Sequence, residues 1–372
     1  MKFRSSALLR SNTSWMRHRL GLFTTSRRKA GKLYRLFFHL FHLKKMSGEA
    51  ENGSGDCKPY NFSNIPYKMG QHLEFVEISD DGYLLLGASN LVVQTWDGSV
   101  WYFNDADLAP DNTKALSGHG VSSAVPCGQF LDSREKVIVG EDYGVLSLYS
   151  VTTFENSSVH FMLQMSCSQH EGWISSLSVT PSKAKTVTGG SDLLLNLLDN
   201  GTMVSEIMYP VAHSKLITGV QFSIDEDVFA SCSLDRSALL WDYRQSKPAL
   251  GLYESNEVGL TSLSWKNKNE IAVGSQGGKI FLVDIRTLNR LYEAQIQRKP
   301  VHKIVFNNDG LLATCCDSNV VTVWDSNSNE IRYQNDLHTG LVRGLAWHPI
   351  SGKLYSCGFD KNVFSHSITS ES

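Results

Sequence analysis

The stretch SCSLDRSALLWDYR, residues 231–244, reads as a strand of small residues, a turn around Asp235, and an alternating strand that ends in a Trp-Asp pair. The same pattern returns downstream as AVGSQGGKIFLVDIR (272–286), ATCCDSNVVTVWDS (313–326) and YSCGFDKNVFSHSI (355–368). A unit that recurs at a nearly constant spacing is the sequence signature of a repeat architecture. The repeat therefore has to be traced along the whole chain before any single strand is assigned.

Two columns of residues define the repeat. The position of Trp241 recurs at spacings of 41 to 49 residues, as Trp101, Tyr149, Leu198, Trp241, Val283, Trp324 and His366. The apolar end of the preceding strand recurs as Val179, Phe222, Trp265, Phe306 and Trp347. This period is typical of a four-stranded propeller blade. The sequence thus predicts an all-β protein with a seven-bladed β-propeller.

The strands of the last repeat leave its blade incomplete. Segments such as TGVQFS, HKIVF and RGLAW alternate apolar and polar residues, as strands do, and no amphipathic helix of ten residues interrupts them. The seventh repeat has only three strands before the sequence stops, while KPYNFSNIPYK (58–68) precedes the first repeat with nothing else to pair with. Because an open strand edge is unfavourable, we expect this N-terminal segment to complete the last blade and close the ring.

Charge divides the chain into unequal parts. Residues 1–45 contain twelve Lys and Arg and no acid, which leaves a formal charge of -14 on residues 46–372. The division predicts a basic, then polar, disordered extension over 1–56, a propeller over 57–369 and a tail over 370–372. The acid-free start fits a mitochondrial transit peptide, a nucleic-acid-binding arm, or sequence upstream of a start at Met46. We favour the last reading, because the body does not resemble an organelle enzyme.

Composition and motifs argue against several classes of protein. The seven cysteines show no C-x-x-C spacing and Cys315 and Cys316 are adjacent, which favours a reducing, intracellular compartment over a disulfide or zinc framework. No apolar run is long enough for a transmembrane helix. No G-x-S-x-G, P-loop, H-E-x-x-H or dinucleotide motif is present, and QHEGW (169–173) lacks the second zinc-binding His. We therefore predict no catalytic residues, no cofactor and no metal.

The repeats resemble those of the WD-repeat family, in which a His, a Ser or Thr, an Asp and a Trp form a buried hydrogen-bonded set. Only the fourth repeat holds all four, whereas the third and seventh keep the His and Asp without the Trp. The four residues are His213, Ser231, Asp235 and Trp241. The resemblance implies a structural role for such sets, because each buried polar group then has a partner.

A second tryptophan needs a separate explanation. In NLVVQTWDGSVWYFND (90–105), Trp101 fills the blade column, whereas Trp96 lies in the stretch ASNLVVQTWDG (88–98). We predict that this stretch is a long loop between the second and third strands, with Trp96 near its tip beside Val92, Val93 and Gln94. Either Trp96 folds back over its own blade, or it is exposed for binding, since Trp is enriched at interface hot spots.

The stretches DDGYLLLGASNLVVQTWDGSVWYF (80–103), SCSLDRSALLWDYRQSKPA (231–249) and LVRGLAWHP (341–349) together resemble the WD-repeat subunits of the methylosome, over residues 57–369. The resemblance implies a non-catalytic, cytoplasmic and nuclear adaptor in a hetero-oligomer. It implies that Trp96 docks into a protein arginine methyltransferase. It also implies presentation of Arg-rich histone tails and spliceosomal Sm proteins for symmetric dimethylation, without direct binding to nucleic acid or membrane.

Two other functions stay open. WDYR (241–244) matches the W-D-x-R signature of cullin-type ubiquitin ligase substrate receptors, and VDIR (283–286) nearly matches it. The signature is weak, because the blade already explains its Trp and Asp. A propeller hydrolase is the third possibility, although no motif supports it.

Overall fold

The computed structural model describes residues 68–92, 95–132, 134–245, 247–255 and 258–368. Strand follows strand throughout these ranges, joined by short turns. The predicted extension over 1–56, the tail over 370–372 and all but Lys68 of the segment 58–68 lie outside the described residues. The domain division and the closing N-terminal strand therefore stay predictions.

Seven antiparallel sheets follow one another along the chain, and each corresponds to one blade. Blade 1 consists of β1 (His72–Ile78), β2 (Leu84–Val92), β3 (Thr95–Phe103) and β4 (Ser117–Val121). Blade 2 consists of β5 (Cys127–Phe130), β6 (Lys136–Gly140), β7 (Val145–Thr153) and β8 (Val159–Ser168). Blade 3 consists of β9 (Ile174–Val179), β10 (Lys185–Gly190), β11 (Leu195–Asp199) and β12 (Ser205–Tyr209). Apart from one turn of 3-10 helix, Ala106–Leu108, the described ranges contain no helix, and so none that could cross a membrane.

The remaining blades repeat the same order of strands. Blade 4 consists of β13 (Ile217–Phe222), β14 (Val228–Ser233), β15 (Ser237–Asp242) and β16 (Leu250–Glu254), and blade 5 of β17 (Leu260–Asn267), β18 (Glu270–Ser275), β19 (Lys279–Asp284) and β20 (Asn289–Gln295). Blade 6 consists of β21 (Val301–Phe306), β22 (Leu311–Cys316), β23 (Val321–Asp325) and β24 (Glu330–Asn335). Blade 7 consists of β25 (Val342–Trp347), β26 (Leu354–Gly358) and β27 (Val363–His366). Blade 7 has three strands among the described residues.

The column of Trp241 lies on the third strand of every blade. All seven of its members are buried, and each pairs with a residue of the second strand in the same relative register, as Trp241 does with Phe229. Burial of a large or branched side chain at this point of each sheet is what the repeat preserves, even where Leu198 or Val283 replaces the aromatic ring. The prediction of an all-β, seven-bladed propeller is confirmed.

The apolar core lies between neighbouring blades. The cluster around Trp241, for example, joins Leu197 of blade 3 to Ile217 and Phe229 of blade 4. Serine hydroxyls on the first strands add hydrogen bonds across the same boundary, such as that from Phe222 N to Ser178 Oγ at 3.0 Å. Because each sheet needs its neighbour to cover its apolar face, the ring is stable only when it is closed.

Blades 1 and 7 contact each other directly and close the ring. Their shared cluster includes Trp101 from blade 1 and Tyr355 and Cys357 from blade 7. The carboxylate of Asp107, which follows β3, accepts hydrogen bonds from Tyr355 OH at 2.7 Å and from Lys353 Nζ at 3.0 Å. These hydrogen bonds lower the pKa of Asp107, and the one from Tyr355 has the larger effect. Packing and one polar contact therefore join the first blade to the last.

The antiparallel order of the strands places the connections on two opposite faces. Turns between second and third strands, and links between blades, lie on one face, which we call the BC face. Turns between first and second strands, and between third and fourth strands, lie on the other, which we call the AB face. A central channel of about 390 Å³ runs between the first strands, and its lining includes Glu77, Gln129, Thr218 and Lys303.

Candidate functional site

Strand β2 is longer than the second strand of any other blade, and β3 is matched in length among the third strands only by β7 of blade 2. Strands β2 and β3 each have nine residues, against six in β14 and β15, and they pair without a bulge from Leu84 opposite Phe103 to Val92 opposite Thr95. The prediction of a long loop over 88–98 is therefore wrong, because the described residues of this stretch, 88–92 and 95–98, are paired strands of a β-hairpin. Leu, Val, Thr and Trp favour strands, and the pairing satisfies backbone groups that a loop would leave to solvent. We call residues 88–98 the hairpin.

Neighbouring segments hold the base of the hairpin on both sides. Asn90 Oδ1 accepts a hydrogen bond from Gln71 N at 2.8 Å, just before β1. On the other strand, a Cβ atom on Gly98 would lie 2.4 Å from Ser123 O, in the link between blades 1 and 2. Only glycine permits this close approach of the two backbones. The hairpin thus leaves the BC face from a firmly packed base.

The structure places the backbones of two of the four predicted binding residues, Val92 and Trp96, at the end of this hairpin. The backbone of Trp96 pairs with Leu91, and that of Val92 pairs with Thr95. Val93 and Gln94 lie outside the described residues, as do the side chains of residues 91–96. The binding role of Trp96, Val92, Val93 and Gln94 stays a prediction. Trp101, five residues beyond Trp96, is fully buried and donates from Nε1 to Ser99 Oγ at 2.9 Å.

In blade 4, the four predicted structural residues form one connected set. Trp241 Nε1 donates to Ser231 Oγ at 2.8 Å, and the Ser231 hydroxyl lies 2.7 Å from His213 Nε2. His213 Nδ1 lies 3.0 Å from Asp235 Oδ2. Burial raises the pKa of Asp235, but the hydrogen bonds from His213 and from Ser237 outweigh it and hold the pKa well below its usual range. The buried carboxylate is therefore ionised and fully hydrogen-bonded.

Blade 7 contains a variant of this set that the sequence analysis missed. His338 bridges Asp360 at 2.9 Å and Ser356 Oγ at 2.8 Å, as expected from the repeat. His366 occupies the tryptophan position, and its Nε2 lies 2.8 Å from Ser356 Oγ while its Nδ1 lies 3.0 Å from Tyr333 OH in blade 6. A neutral imidazole can donate one hydrogen bond and accept another, so His366 replaces the indole N–H. Its place in the Trp241 column was the signal that could have revealed it.

Burial determines the charge of His366. Desolvation, together with the nearby His338, lowers the pKa of His366 to about 4. The imidazole is therefore neutral at neutral pH, which suits a ring that accepts from Tyr333 and donates to Ser356. The third blade has a shorter set, in which His170 lies 3.0 Å from Asp192 Oδ1 and 2.8 Å from Thr188 Oγ1, with Leu198 in the tryptophan position.

In blade 6, the polar side chains of His302 and Asp317 are contacted by an arginine from blade 7. Arg343 on β25 donates from Nη1 to His302 Nδ1 at 2.7 Å and lies 3.4 Å from Asp317 Oδ1. Its guanidinium also lies 4.8 Å from the ring centre of Phe359. Burial raises the pKa of Asp317, and the charge of Arg343 opposes this shift. Because column alignment treats each blade alone, this contact between blades could not be predicted from the sequence.

Asp235→Ala is expected to lower the free energy of unfolding by about 1 to 3 kcal/mol, because it leaves buried donors on His213 and Ser237 without an acceptor. Asp317→Ala should cost less, since Arg343 keeps its contacts with His302 and Phe359 and a desolvated carboxylate is removed. Urea denaturation of the two variants measures both values. The opposite ranking would show that the two carboxylates are not distinguished by their hydrogen-bond partners.

The residues of the W-D-x-R signature contact each other. Arg244 donates to Asp242 through Nε and Nη2, both at 2.8 Å, and Arg286 bonds Asp284 in the same way at 3.1 and 2.7 Å. The hydrogen bonds from these arginines lower the pKa of Asp242 and of Asp284 to about 2. Both guanidinium groups are more than half exposed on the AB face. The signature thus describes a local ion pair, and a ligase-receptor role remains untested.

Metal ligands do not cluster in the part of the chain that the structure describes. No group of three or more His, Cys, Asp or Glu side chains is arranged there to hold a metal ion. In the channel, burial raises the pKa of Glu77, while Lys303 and a hydrogen bond with Gln129 lower it. The His–Asp pairs are each committed to the interior of a blade. The hairpin is therefore the strongest candidate site.

Comparison with known proteins identifies the repeat. The WD domain, G-beta repeat, matches residues 205–242, and the N-terminal domain of Nucleolar protein 10-like proteins matches residues 242–359. The chain is a WD-repeat propeller. The four-residue set of blade 4 lies within the first of these matches, and the resemblance to the WD-repeat family that the sequence indicated is confirmed.

Individual relatives differ in how much of their length this WD-repeat propeller covers. Methylosome protein WDR77 of Xenopus laevis is 27% identical over 313 residues, which span 82% of this chain and 92% of that protein. Cilia- and flagella-associated protein 57 of Mus musculus is 30% identical, but only 13% of it is covered. Pre-mRNA-processing factor 19 homolog 2 of Arabidopsis thaliana is 26% identical with 47% covered. The resemblance to a methylosome subunit is thus confirmed over nearly that subunit's whole length.

Proposed function

We propose that this WD-repeat propeller is a non-catalytic adaptor of a methylosome, which binds a protein arginine methyltransferase through the hairpin. The observation that carries the proposal is the hairpin itself. It extends the strands of blade 1 beyond the BC face, and it contains Trp96 within a chain that is similar to a methylosome protein over 92% of that protein's length. An aromatic anchor on a well-packed base loses little conformational entropy on binding.

A role in presenting substrates follows from charge. The formal charge of -14 on residues 46–372 attracts the Arg-rich tails of histones and spliceosomal Sm proteins over a Debye length of about 8 Å. Several of the acids lie in turns of the AB face, away from the hairpin: Asp80, Asp81, Asp225, Glu226, Asp227 and Asp309. The AB face would then hold substrate tails while the BC face holds the enzyme, in a hetero-oligomer of the cytoplasm and nucleus.

Trp96→Ala tests the docking role. We expect it to weaken binding to the purified methyltransferase by roughly 2 kcal/mol or more, about 30-fold, because truncation removes a central aromatic anchor. Circular dichroism and the melting temperature should stay at wild-type values. Isothermal titration calorimetry of the methyltransferase with each variant measures the affinity.

A matched control is available on the opposite face. Phe154 lies in the turn between β7 and β8 and is 45% exposed, so Phe154→Ala removes a comparable aromatic side chain from the AB face. It should bind the methyltransferase like wild type. If Trp96→Ala also binds like wild type, the hairpin is not the docking element. Affinity purification that recovers a ubiquitin-ligase adaptor instead of a methyltransferase would favour the ligase-receptor alternative.

A further inference from the structure

We infer that the partner-binding surface continues from the hairpin across blades 2 and 3 of the BC face, as a strip of aromatic and acidic residues centred on Tyr143. The inference rests on the proposed function for the identity of the partner. It adds that the partner has a basic rim around an apolar pocket. We call the residues Asp97, Tyr143, Glu171 and Trp173 the aromatic-acidic strip.

Backbone contacts connect the strip to the hairpin. The link between blades 1 and 2 lies against Gly98 of the hairpin, and in the same link Ala124 O accepts a hydrogen bond from Asp142 N at 3.0 Å. Asp142 is next to Tyr143 in the turn between β6 and β7. On the far side of that turn, a Cβ atom on Gly144 would lie 2.2 Å from His170 O. Hairpin, turn and the link that bears Glu171 and Trp173 are therefore packed in a row.

The apolar part of the strip is exposed to solvent. Tyr143 is 50% exposed and Trp173 is half-buried, although both lie in tightly packed connections. Tyrosine and tryptophan are the residues that most often anchor interfaces, since they bury a large area at a small entropy cost. The exposed large apolar residues in the later connections of the BC face, Val211 and Leu337, are aliphatic. Aromatic exposure thus accompanies the hairpin.

The connections of the BC face are more negative in blades 1 to 3 than in the later blades. In the described connections of blades 1 to 3, Lys68 is the one base and the acids are Asp97, Glu141, Asp142, Glu171 and Asp192. Glu141 and Asp192 hydrogen-bond within the blades, and Asp97 and Glu171 are exposed to solvent. The described connections after blade 3 carry the bases Lys215, Arg236, Arg298, Lys299 and Lys361 together with the acids Asp235, Asp317, Asp336 and Asp360, a formal charge of +1 against -4 for blades 1 to 3. A partner centred on the hairpin therefore meets negative charge, which a basic rim would complement.

Two variants of the strip test this inference with purified methyltransferase. Tyr143→Ala should weaken binding about tenfold, because it truncates an exposed aromatic contact. Glu171→Lys should weaken it about fivefold at low ionic strength and less at high salt, because the new charge opposes a basic rim. Val211→Ala, in the link between blades 3 and 4 on the same face, is the matched control and should bind like wild type. Melting temperatures of all three variants should equal that of wild type.

The outcomes separate this inference from the proposed function. If Trp96→Ala weakens binding while Tyr143→Ala and Glu171→Lys do not, the docking surface is the hairpin alone and the inference is wrong. An equal loss with Val211→Ala would also overturn it, since the surface would not be confined to blades 1 to 3. If wild type does not bind the methyltransferase, both the proposed function and the inference fail.

Discussion

Trp101→Ala is expected to lower the free energy of unfolding by about 3 to 5 kcal/mol, the range for removing a large aromatic side chain from a core. Trp101 is fully buried and packs in the cluster shared by blades 1 and 7. Its loss leaves a cavity where the ring closes and removes the hydrogen bond from Nε1 to Ser99 Oγ. Because each blade depends on its neighbours, we expect a single, less stable unfolding transition. Urea denaturation measures the difference.

Trp96→Ala is the natural comparison for this result. The two tryptophans are five residues apart on one strand, so a general weakening of β3 would affect both variants. We expect Trp101→Ala to reduce stability and Trp96→Ala to leave it unchanged. A loss of less than 1 kcal/mol in Trp101→Ala would contradict the buried position of its indole ring.

Lowering the pH from about 7.5 to about 4.5 is expected to cost about 2 to 3 kcal/mol of stability through His366 alone. The pKa of His366 is about 4 in the folded protein, below the value of about 6.5 of an unfolded chain. The unfolded state therefore binds a proton that the folded state does not. This contribution is complete above pH of about 6.5 and is lost as the pH falls towards about 4.

His366→Gln isolates the titrating group, because glutamine can donate to Ser356 and accept from Tyr333 but carries no charge. The variant should lose stability at neutral pH through imperfect packing, yet its stability should change less with pH than that of wild type. Urea denaturation at several pH values gives the two slopes. Burial also lowers the pKa of His119, which contributes equally in both proteins. Parallel slopes would show that the pKa of His366 is the same in the folded and unfolded states, which contradicts a lowered value.

The fold could be predicted from the sequence because each of the seven blades needs a buried side chain at the same point of its third strand. Val283 and Leu198 lack any family signature, but their spacing placed them correctly in the buried third strand. Where one blade lacks the usual residue at a repeat position, the same position in the other blades still defines the repeat. The alternation of TGVQFS and its counterparts then gave the first strands, since each has one face against the preceding blade and one against the next.

The hairpin was misjudged because its sequence lacks the usual markers of a turn. Val93 and Gln94 separate two strands without the Asn-Gly or Asp-Gly pair that commonly indicates a two-residue connection. The length of the insertion was therefore read as a loop. His366 and Arg343 were missed for a different reason, since their partners Tyr333 and Asp317 are on blade 6 while they themselves are on blade 7. Repeat alignment contains no information about contacts between unlike blades.

The Ser356–His338–Asp360 set of blade 7 has the same atom-to-atom order as the nucleophile, base and acid of a serine hydrolase. Its hydroxyl is fully buried, and its second contact is an imidazole. A search for hydrolases that uses side-chain distances alone would therefore select this protein, and would select it again at Ser231. What separates these sets from an active site is the path by which a carbonyl carbon could reach the oxygen. Accessibility must accompany distance in any geometric template for such triads.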